Sequence, residues 1–277
     1  MFLVGTPSYT GTVTFQYMTS LMGMVHACNK AGVQACFHHL AGESLVTRAR
    51  NLIANAFLRR EDCTHLLFID ADLGFPEDAA LRYLHSGKDV VCGIYPVKYL
   101  DVEKLRHLPP GLSREEAMAS SLFYTVKLKD DAVTVHDGLV PVDYGPAGFM
   151  MIKREVFVEM AAAYPQLRYH NSYVNSGDKQ YDNWAFFDTA IDGETGDYLP
   201  EDYAFCKRWT AIGGEIYGDV LSRFTHSGQC DYVGDYPTYL RHCGDCGQSA
   251  IPAATPEAAA SDKDGLSSLL SCTKIGK

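Results

Sequence analysis

Length, composition and charge place this chain among folded globular proteins. Its 277 residues are 47% hydrophobic, which is enough apolar side chain to bury the core of one large domain. A net charge of −10, without a long Lys/Arg run, argues against a broad nucleic-acid or anionic-membrane surface. No apolar run approaches the roughly 18 residues of a membrane-spanning helix, and the first residues lack the pattern of a signal peptide. Nine scattered cysteines predict a reducing, cytoplasmic location.

Strand-like and helix-like patterns alternate along the first hundred residues. Apolar runs predict strands at 2–4, 33–37, 66–69 and 90–94, and helical spacing predicts helices over 15–32, 45–57 and around 81–84. Gly5 to Tyr9 is expected to be a turn after the first strand. This alternation predicts an α/β fold with a mostly parallel twisted sheet flanked by helices.

The pattern breaks between residues 97 and 140, which predicts an insert. Apolar stretches at 123–128 and 133–135 flank Lys129-Asp130-Asp131 and predict an inserted β-hairpin. Beyond the insert we expect a strand at 149–152, a helix at 156–160, a long polar loop at 165–198, a helix at 201–212 and a strand at 215–220. The chain is therefore expected to form one domain over residues 1–240, followed by a flexible tail at 241–277.

Two carboxylates one residue apart, Asp70 and Asp72, follow the third predicted strand. The carboxyl ends of strands in open α/β sheets bind ligands, and hard oxygen ligands there suit Mg²⁺ or Mn²⁺ held jointly with a phosphate. Haloacid-dehalogenase-like phosphatases also place Asp-x-Asp after an apolar strand. They require Thr or Val two positions after the second Asp, where this chain has Gly74. A solvated loop is the remaining alternative for the pair.

The pair belongs to a series of four motifs that resembles the GT-A glycosyltransferases, particularly the family 2-like enzymes of bacteria and large viruses. The resemblance extends from residue 2 to about residue 235 and covers the insert poorly. The four motifs occur in the family's order, as Asp70-Ala71-Asp72, Gly145-Pro146-Ala147-Gly148, Glu201-Asp202 and His226.

This resemblance implies a GT-A fold and a metal-dependent glycosyltransferase of the hexosyltransferase type. The donor would be a nucleotide-diphosphate sugar, with a UDP-sugar favoured, and the acceptor a hydroxyl group on a glycan or another molecule. Inversion is favoured, with Asp202 as general base and Glu201 contacting acceptor or sugar. Asp70, Asp72 and His226 would hold Mn²⁺ or Mg²⁺. Gly145, Ala147 and Gly148 would lie under sugar and acceptor, and the donor would be bound by Thr6, Pro7, Tyr9, Arg48, Arg50, Asn51, Asp70, Ala71 and Asp72.

Several of these residues also have simpler interpretations. Glu201-Asp202 could be a helix N-terminal cap, and Arg48, Arg50 and Asn51 a solvated helix face. Lys98 is either a surface lysine or a phosphate contact. Cys243-Gly244-Asp245-Cys246, with Cys230, has partial zinc-ligand spacing, although free thiols are the default. Four aromatic residues are either an acceptor platform or core: Tyr181, Trp184, Phe186 and Phe187.

Two other functional classes stay open at this point. A sugar nucleotidyltransferase shares the layered sheet and metal carboxylates, but it requires a basic Gly-rich first loop. Gly5-Thr6-Pro7-Ser8-Tyr9-Thr10-Gly11 contains no basic residue. A non-catalytic nucleotide- or sugar-binding protein would keep the pocket and have no need of Glu201-Asp202.

Overall fold

The computed structural model of this chain describes residues 1–129, 135–170 and 182–242. The helices in these ranges are α1 (Phe15–Lys30), α2 (Val46–Leu58), α3 (Ala79–His85), α4 (Val102–His107), α5 (Arg114–Ser120), α6 (Arg154–Ala163), α7 (Glu201–Ala211) and α8 (Tyr236–His242). The strands are β1 (Phe2–Ser8), β2 (Ala35–Ala41), β3 (His65–Ile69), β4 (Leu73–Gly74), β5 (Val90–Gly93), β6 (Pro96–Leu100), β7 (Leu122–Tyr124), β8 (Lys127–Leu128), β9 (Leu139–Tyr144), β10 (Phe149–Lys153), β11 (Arg168–Tyr169), β12 (Asn183–Trp184), β13 (Ala190–Ile191), β14 (Tyr198–Leu199), β15 (Ile216–Asp219), β16 (Thr225–Ser227) and β17 (Asp231–Val233).

Eight strands form the central sheet, in the order β2-β1-β3-β10-β5-β15-β9-β8. Strand β1 is parallel to β2 and β3, and β15 is parallel to β5. Strands β10 and β9 run antiparallel to both of their neighbours, so six strands point one way and two the other. The predicted α/β class is confirmed, because most strands of the central sheet share one direction and helices flank the sheet.

Both faces of this sheet are covered by helices. Leu66 and Phe68 of β3 pack in one apolar cluster with α2, α6 and α7, whereas Leu67 and Ile69 pack in a second cluster with α1 and α3. Successive side chains of a strand point to opposite faces, so an unbroken apolar run is the expected sequence of a strand buried on both sides. The residue that follows β3, Asp70, therefore starts from a rigidly held position.

The first strand is longer than its apolar residues indicate. Gly5 to Ser8, expected to be a turn, continue β1 and pair with His38 to Ala41 of β2. Gly5 is required here by close packing, because a Cβ at this position would lie 2.3 Å from Ile53 Cγ2 on α2. The predicted turn at 5–9 is therefore wrong for most of its length.

The insert contains a hairpin, but with a different second strand. The stretch predicted as one strand, 123–128, is divided between β7, which pairs with β6, and β8, which pairs with β9. The predicted partner residues 133–134 lie outside the described residues. The hairpin is formed by β8 and β9 and joins the edge of the central sheet. Helices α4 and α5 were not expected, although Ser113 and Glu116 form a capping box that marks the start of α5.

The C-terminal part of the described chain returns to the Asp70/Asp72 segment. Strand β16 lies between β17 and β4 in a separate three-stranded sheet, which sets His226 opposite Leu73. Helix α8 continues through residue 240, and residues 243–277 of the predicted tail lie outside the described residues. Within the described residues, no helix combines the length and hydrophobicity that crossing a bilayer requires.

Phe157 tests the packing of α6 on the sheet. Its side chain is fully buried, with ring centroids 5.8 Å from Phe57, 5.1 Å from Phe186 and 6.0 Å from Phe205. We expect Phe157→Ala to lower the free energy of unfolding by about 3–5 kcal/mol in urea denaturation, because it leaves a cavity among these rings. The neighbouring Val158 is 56% exposed, so Val158→Ala should change stability by less than about 0.5 kcal/mol. Equal effects of the two substitutions would contradict this packing.

Candidate functional site

A cavity of about 450 Å³ opens at the carboxyl ends of β1 and β3. The loops after β1, β2 and β3 form most of its wall, as expected for an open α/β sheet. Its lining residues are Pro7, Ser8, Tyr9, Thr10, Thr12, Val13, Thr14, Glu43, Ser44, Val46, Ala49, Asp70, Ala71, Asp72 and His226. Six of the residues proposed from the sequence are among them: Pro7, Tyr9, Asp70, Ala71, Asp72 and His226.

Asp72 and His226 lie side by side at one end of the cavity. The distance between His226 Nε2 and Asp72 Oδ1 is 3.4 Å, and Lys98 Nζ contacts Asp72 Oδ2. Pairing of β16 with β4 brings them together, and the Ser227 backbone N–H donates to the Asp72 carbonyl at 2.9 Å. Residues separated by more than 150 positions in sequence thus meet through one short strand pairing.

The charge state of Asp72 follows from these neighbours. Burial raises the pKa of its carboxyl, but hydrogen bonds and charge from His226 and Lys98 outweigh burial and lower the pKa to about 2. Asp72 is therefore an anion at every pH at which the protein would work.

The arrangement of His226 and Asp72 fits a divalent cation. His226 Nδ1 donates to the Pro96 carbonyl at 2.8 Å, so in a neutral ring the Nε2 lone pair faces an Asp72 oxygen. Two acceptors facing each other require a proton or a metal ion between or beside them. Within the described residues no group of three or more His, Cys, Asp or Glu is arranged to hold a metal. An ion here would take its remaining ligands from phosphate and water, as Mg²⁺ commonly does.

Three residues proposed to bind the donor are instead buried. Strand alternation directs Thr6 towards α1, where its Oγ1 lies 2.6 Å from Tyr17 Oη. Arg50 and Asn51 are each 3% exposed, on the face of α2 that packs against the sheet and the 183–187 segment. Asn51 Oδ1 accepts a hydrogen bond from the Phe187 backbone at 2.8 Å. None of the three lines the cavity, so direct donor contact does not fit them.

The other basic donor candidate, Arg48, is solvent-exposed and also lies outside the cavity lining. Its Nε donates to Glu43, and this ion pair fixes a carboxylate that does line the cavity. The Leu45 backbone N–H donates to the other Glu43 oxygen at 3.0 Å. Arg48 thus acts on the cavity through Glu43. The signal that sequence reasoning missed is that Glu43-Ser44 follow β2 as Asp70 follows β3, at the same edge of the sheet.

The glycine-containing loop 145–148 lies beneath Asp70. The Asp70 backbone N–H donates to the Gly148 carbonyl at 2.7 Å. A Cβ at Gly148 would lie 2.2 Å from Tyr95 Oη and 2.7 Å from Asp70 Oδ2, and one at Gly145 would lie 2.1 Å from Cys92 Sγ. Glycine is therefore required by close approach. The loop, including Ala147, is buried and supports the cavity floor; it is not part of the cavity lining.

The two acidic residues at the start of α7 have different surroundings. Glu201 Oε1 accepts a hydrogen bond from Arg50 Nε at 3.1 Å. Asp202 Oδ1 accepts from the backbone N–H of Tyr203 at 2.9 Å. Burial and the charge of Glu201 raise the pKa of Asp202 to about 6, although Arg50 and backbone N–H groups oppose the shift. The N-cap residue is Pro200, so neither carboxylate occupies the N-cap position itself. Both lie in the first turn of α7, where the helix dipole favours acidic residues, which agrees with that part of the capping interpretation.

The aromatic candidates are mostly core residues. Phe186 and Phe187 are fully buried, and Phe187 stacks on Phe205 with ring centroids 4.5 Å apart. Trp184 is half-buried against Phe186, and Tyr181 lies outside the described residues. Cys230 is a free thiol, whereas Cys243 and Cys246 lie outside the described residues, so the zinc interpretation stays a prediction.

The raised pKa of Asp202 gives its replacement a pH-dependent effect on stability. Between pH about 4, where an unfolded aspartate titrates, and pH about 6, the folded protein keeps a proton that the unfolded chain loses. The wild-type protein therefore loses stability as pH rises through this window. We expect the unfolding free energy of Asp202→Asn, relative to wild type, to rise by about 1–3 kcal/mol across the window and to stay level outside it.

Urea denaturation at several pH values between 3.5 and 8 measures this difference. Glu159→Gln, at an exposed position of α6, is the control and should show no such rise. If the difference in unfolding free energy between Asp202→Asn and wild type does not change with pH, the pKa of Asp202 is not raised in the folded state.

Comparison with known proteins gives structural likenesses only. No protein family matches the sequence, and no curated protein matches it either. Similar solved structures are A197 from STIV (18% identity, TM-score 0.46, covering 83% of this chain and 87% of that one) and S. aureus TarS 1-349 (12%, 0.39, 87% and 62%). A UDP-glucose pyrophosphorylase complexed with UDP-glucose has 9% identity and a TM-score of 0.37, covering 87% and 96%. With TM-scores below 0.5, these likenesses assign neither a family nor an activity to this chain.

Proposed function

We propose that this protein is a metal-dependent glycosyltransferase that moves a sugar from a nucleotide-diphosphate donor, with a UDP-sugar favoured, to an acceptor hydroxyl with inversion. The observation that carries the proposal is that Asp72 and His226 meet at one end of the cavity, with Oδ1 and Nε2 3.4 Å apart. The opposite pKa shifts of two carboxylates support it. The pKa of Asp72 is lowered to about 2, so its carboxyl is ionised, whereas burial raises the pKa of Asp202 to about 6. Environments that push the pKa values of two acids apart are typical of sites that divide electrostatic and proton-transfer roles.

The cavity supports a nucleotide diphosphate accompanied by a cation. Its volume lies within the roughly 300–1,000 Å³ of small-molecule sites. Hydroxyl groups of Ser8, Thr10, Thr12 and Thr14 can bond a nucleoside. The acidic residues that line the cavity are Glu43, Asp70 and Asp72, whose basic partners Arg48, Arg50 and Lys98 lie outside the lining. Among the lining residues in the described part of the chain, none is Lys or Arg. A diphosphate would bind this wall only together with positive charge, which favours Mn²⁺ or Mg²⁺.

The roles of the residues follow from their positions. Asp72 and His226 would hold the ion, which supplies Lewis-acid stabilisation of charge on the departing diphosphate. The Pro96 carbonyl orients His226, and the Ser227 N–H fixes the backbone of Asp72. Asp202 would accept the proton of the attacking hydroxyl, because a base works best with a pKa near the operating pH. Glu201, already paired with Arg50, would contact sugar or acceptor.

Thermal melts with nucleotides test the donor class. We expect one of UDP, GDP, CDP or dTDP, and UDP first, to raise the melting temperature in the presence of Mn²⁺. A ligand at 100 times its Kd adds about 2.7 kcal/mol of stability, so the shift is measurable. EDTA and Asp72→Ala should each abolish it. Asp78→Ala, at a surface position outside the cavity, should preserve it. A shift that survives EDTA and Asp72→Ala would contradict the metal assignment, and no shift with any nucleotide would contradict the donor class.

Product analysis then separates the three functional classes. Incubation with the matching nucleotide sugar, Mn²⁺ and candidate acceptors should release nucleoside diphosphate, and Asp202→Asn should slow this release about 100-fold or more. Formation of nucleoside triphosphate from the sugar nucleotide and pyrophosphate would instead identify a nucleotidyltransferase. Binding without any turnover would identify a binding protein.

Lys98 has a separate, measurable effect on metal binding. Its contact with Asp72 Oδ2 neutralises the carboxylate that we assign to the ion. We expect Lys98→Met to bind Mn²⁺ about 2- to 5-fold more tightly in the absence of nucleotide, because a competing half-exposed ion pair is removed. Electron paramagnetic resonance titration of free Mn²⁺ measures this, with exposed Lys30→Met as the control. Weaker Mn²⁺ binding by Lys98→Met would show that the lysine does not compete with the metal.

A further inference from the structure

Arg50 connects the donor side of the site to the acidic pair at the start of α7. We propose that Arg50 is a positioning residue: by pairing with Glu201 it fixes the start of α7, where Asp202 is the proposed proton acceptor, and by pairing with Asp70 it fixes the cavity floor against the 145–148 loop. This inference rests on the proposed function for its catalytic meaning, but not for its physical test.

All three nitrogens of the Arg50 guanidinium have partners on different elements. Nε donates to Glu201 Oε1 at 3.1 Å, and Nη1 donates to the Ala147 carbonyl at 3.3 Å. Nη2 donates to the two oxygens of Asp70 at 3.0 and 3.2 Å. One side chain on α2 therefore joins the end of β3, the loop before β10 and the start of α7. A planar fork of donors makes this possible, whereas a lysine ammonium is a point donor on a flexible stem.

The burial of Arg50 separates this role from substrate binding. The residue is 3% exposed, and its guanidinium lies 5.4 Å from the centroid of the Phe68 ring. A phosphate could reach it only by displacing a carboxylate that already holds it. Buried ion networks are commonly no more stabilising than apolar replacements of similar volume. A network next to the cavity therefore indicates that the position of these carboxylates matters more than the stability they add.

Two successive carboxylates, Glu201 and Asp202, relate to Arg50 in different ways. Glu201 is bonded directly to Arg50, so its Oε1 oxygen already accepts a hydrogen bond from a charged donor. The charge of Arg50 acts on Asp202 and lowers its pKa, but burial and the charge of Glu201 outweigh this effect and raise the pKa to about 6. The other groups that act on Asp202 are Glu201, Tyr203 and Cys206 of α7, the Ala147 backbone, Cys92 of β5, and Tyr95. None of these groups is positively charged, so within the described part of the chain Arg50 is the cation that acts on Asp202, and its removal should raise the pKa of Asp202 further.

Carbon-13 NMR titration of aspartate carboxyl groups tests this without any substrate. The Asp202 signal is assigned by its loss in Asp202→Asn. We expect Arg50→Met to move the titration midpoint of Asp202 upwards by about one unit or more, the usual effect of losing a nearby opposite charge. Arg50→Lys should keep the midpoint close to that of wild type, because the charge stays.

The matched control is Arg154→Met. Arg154 donates to the carbonyls of Phe57 and Leu58 at the end of α2 and to that of Cys63 in the connection to β3. Its loss should lower the melting temperature and leave the Asp202 midpoint unchanged. If Arg50→Met does not fold, Arg50→Met/Glu201→Gln removes the orphaned Glu201 carboxylate as well. Because Glu201 itself raises the pKa of Asp202, this double variant is compared with Glu201→Gln, and its Asp202 midpoint should be the higher of the two.

Once turnover is measured, steady-state kinetics test whether the position held by Arg50 matters for catalysis. We expect Arg50→Lys to lower kcat at least 10-fold with little change in the donor KM, because a lysine cannot hold Asp70, Ala147 and Glu201 together.

Three outcomes would contradict these assignments. If the titration midpoint of Asp202 is unchanged in folded Arg50→Met, the electrostatic assignment is overturned. A donor KM that rises while kcat is intact overturns the positioning role, since Arg50 would then bind the donor. Failure of every nucleotide to bind would reject the proposed function while the NMR result still decides the role of Arg50.

Discussion

The site depends on one strand running against its neighbours. Strand β10 is antiparallel to β3, so the loop that leads into β10 and the residues that leave β3 meet at the same edge of the sheet. The hydrogen bond from Asp70 N–H to the Gly148 carbonyl closes this junction. If β10 ran parallel to β3, its preceding loop would lie at the opposite edge. The cavity wall and the floor beneath it would then be separated by the length of the sheet.

Charge in this region is organised in two layers. An outer layer, Asp72 with Lys98 and His226, is half-exposed and can exchange its partners for ligands at low cost. An inner layer, Arg50 with Asp70 and Glu201, is largely enclosed, and its members cannot exchange partners without leaving a buried charge unpaired. Asp70 belongs to the inner layer but also lines the cavity, so it lies between the two layers. The fold thus provides adaptable groups where a ligand would enter and fixed groups underneath.

Much of the architecture could be predicted because it is encoded locally. The strand β3 and the helices α1, α2 and α7 follow from apolar periodicity within a few residues of each position. The site was harder, because partner choice is non-local. Arg50 has the appearance of a solvated helix residue until the 183–187 segment, tied to α2 by Asn51 and Asn55, shows which face of the helix is inward. Thr6 was misplaced for a related reason: Gly5-Thr6-Pro7 has the local sequence of a turn, but pairing with β2 keeps it extended.

The small sheet that carries His226 can open and form separately from the central sheet, which affects when the Asp72–His226 pair is assembled. Its strands have two or three residues each and are attached to the rest of the fold through β4 and the β6 region, apart from the central sheet. Short peripheral pairings of distant segments open at lower free energy than a core strand does. The imidazole could therefore leave Asp72 through a local opening, with the central sheet intact. During synthesis, the same separation means that this end of the cavity is the last part to form, after nearly all of the described chain has emerged.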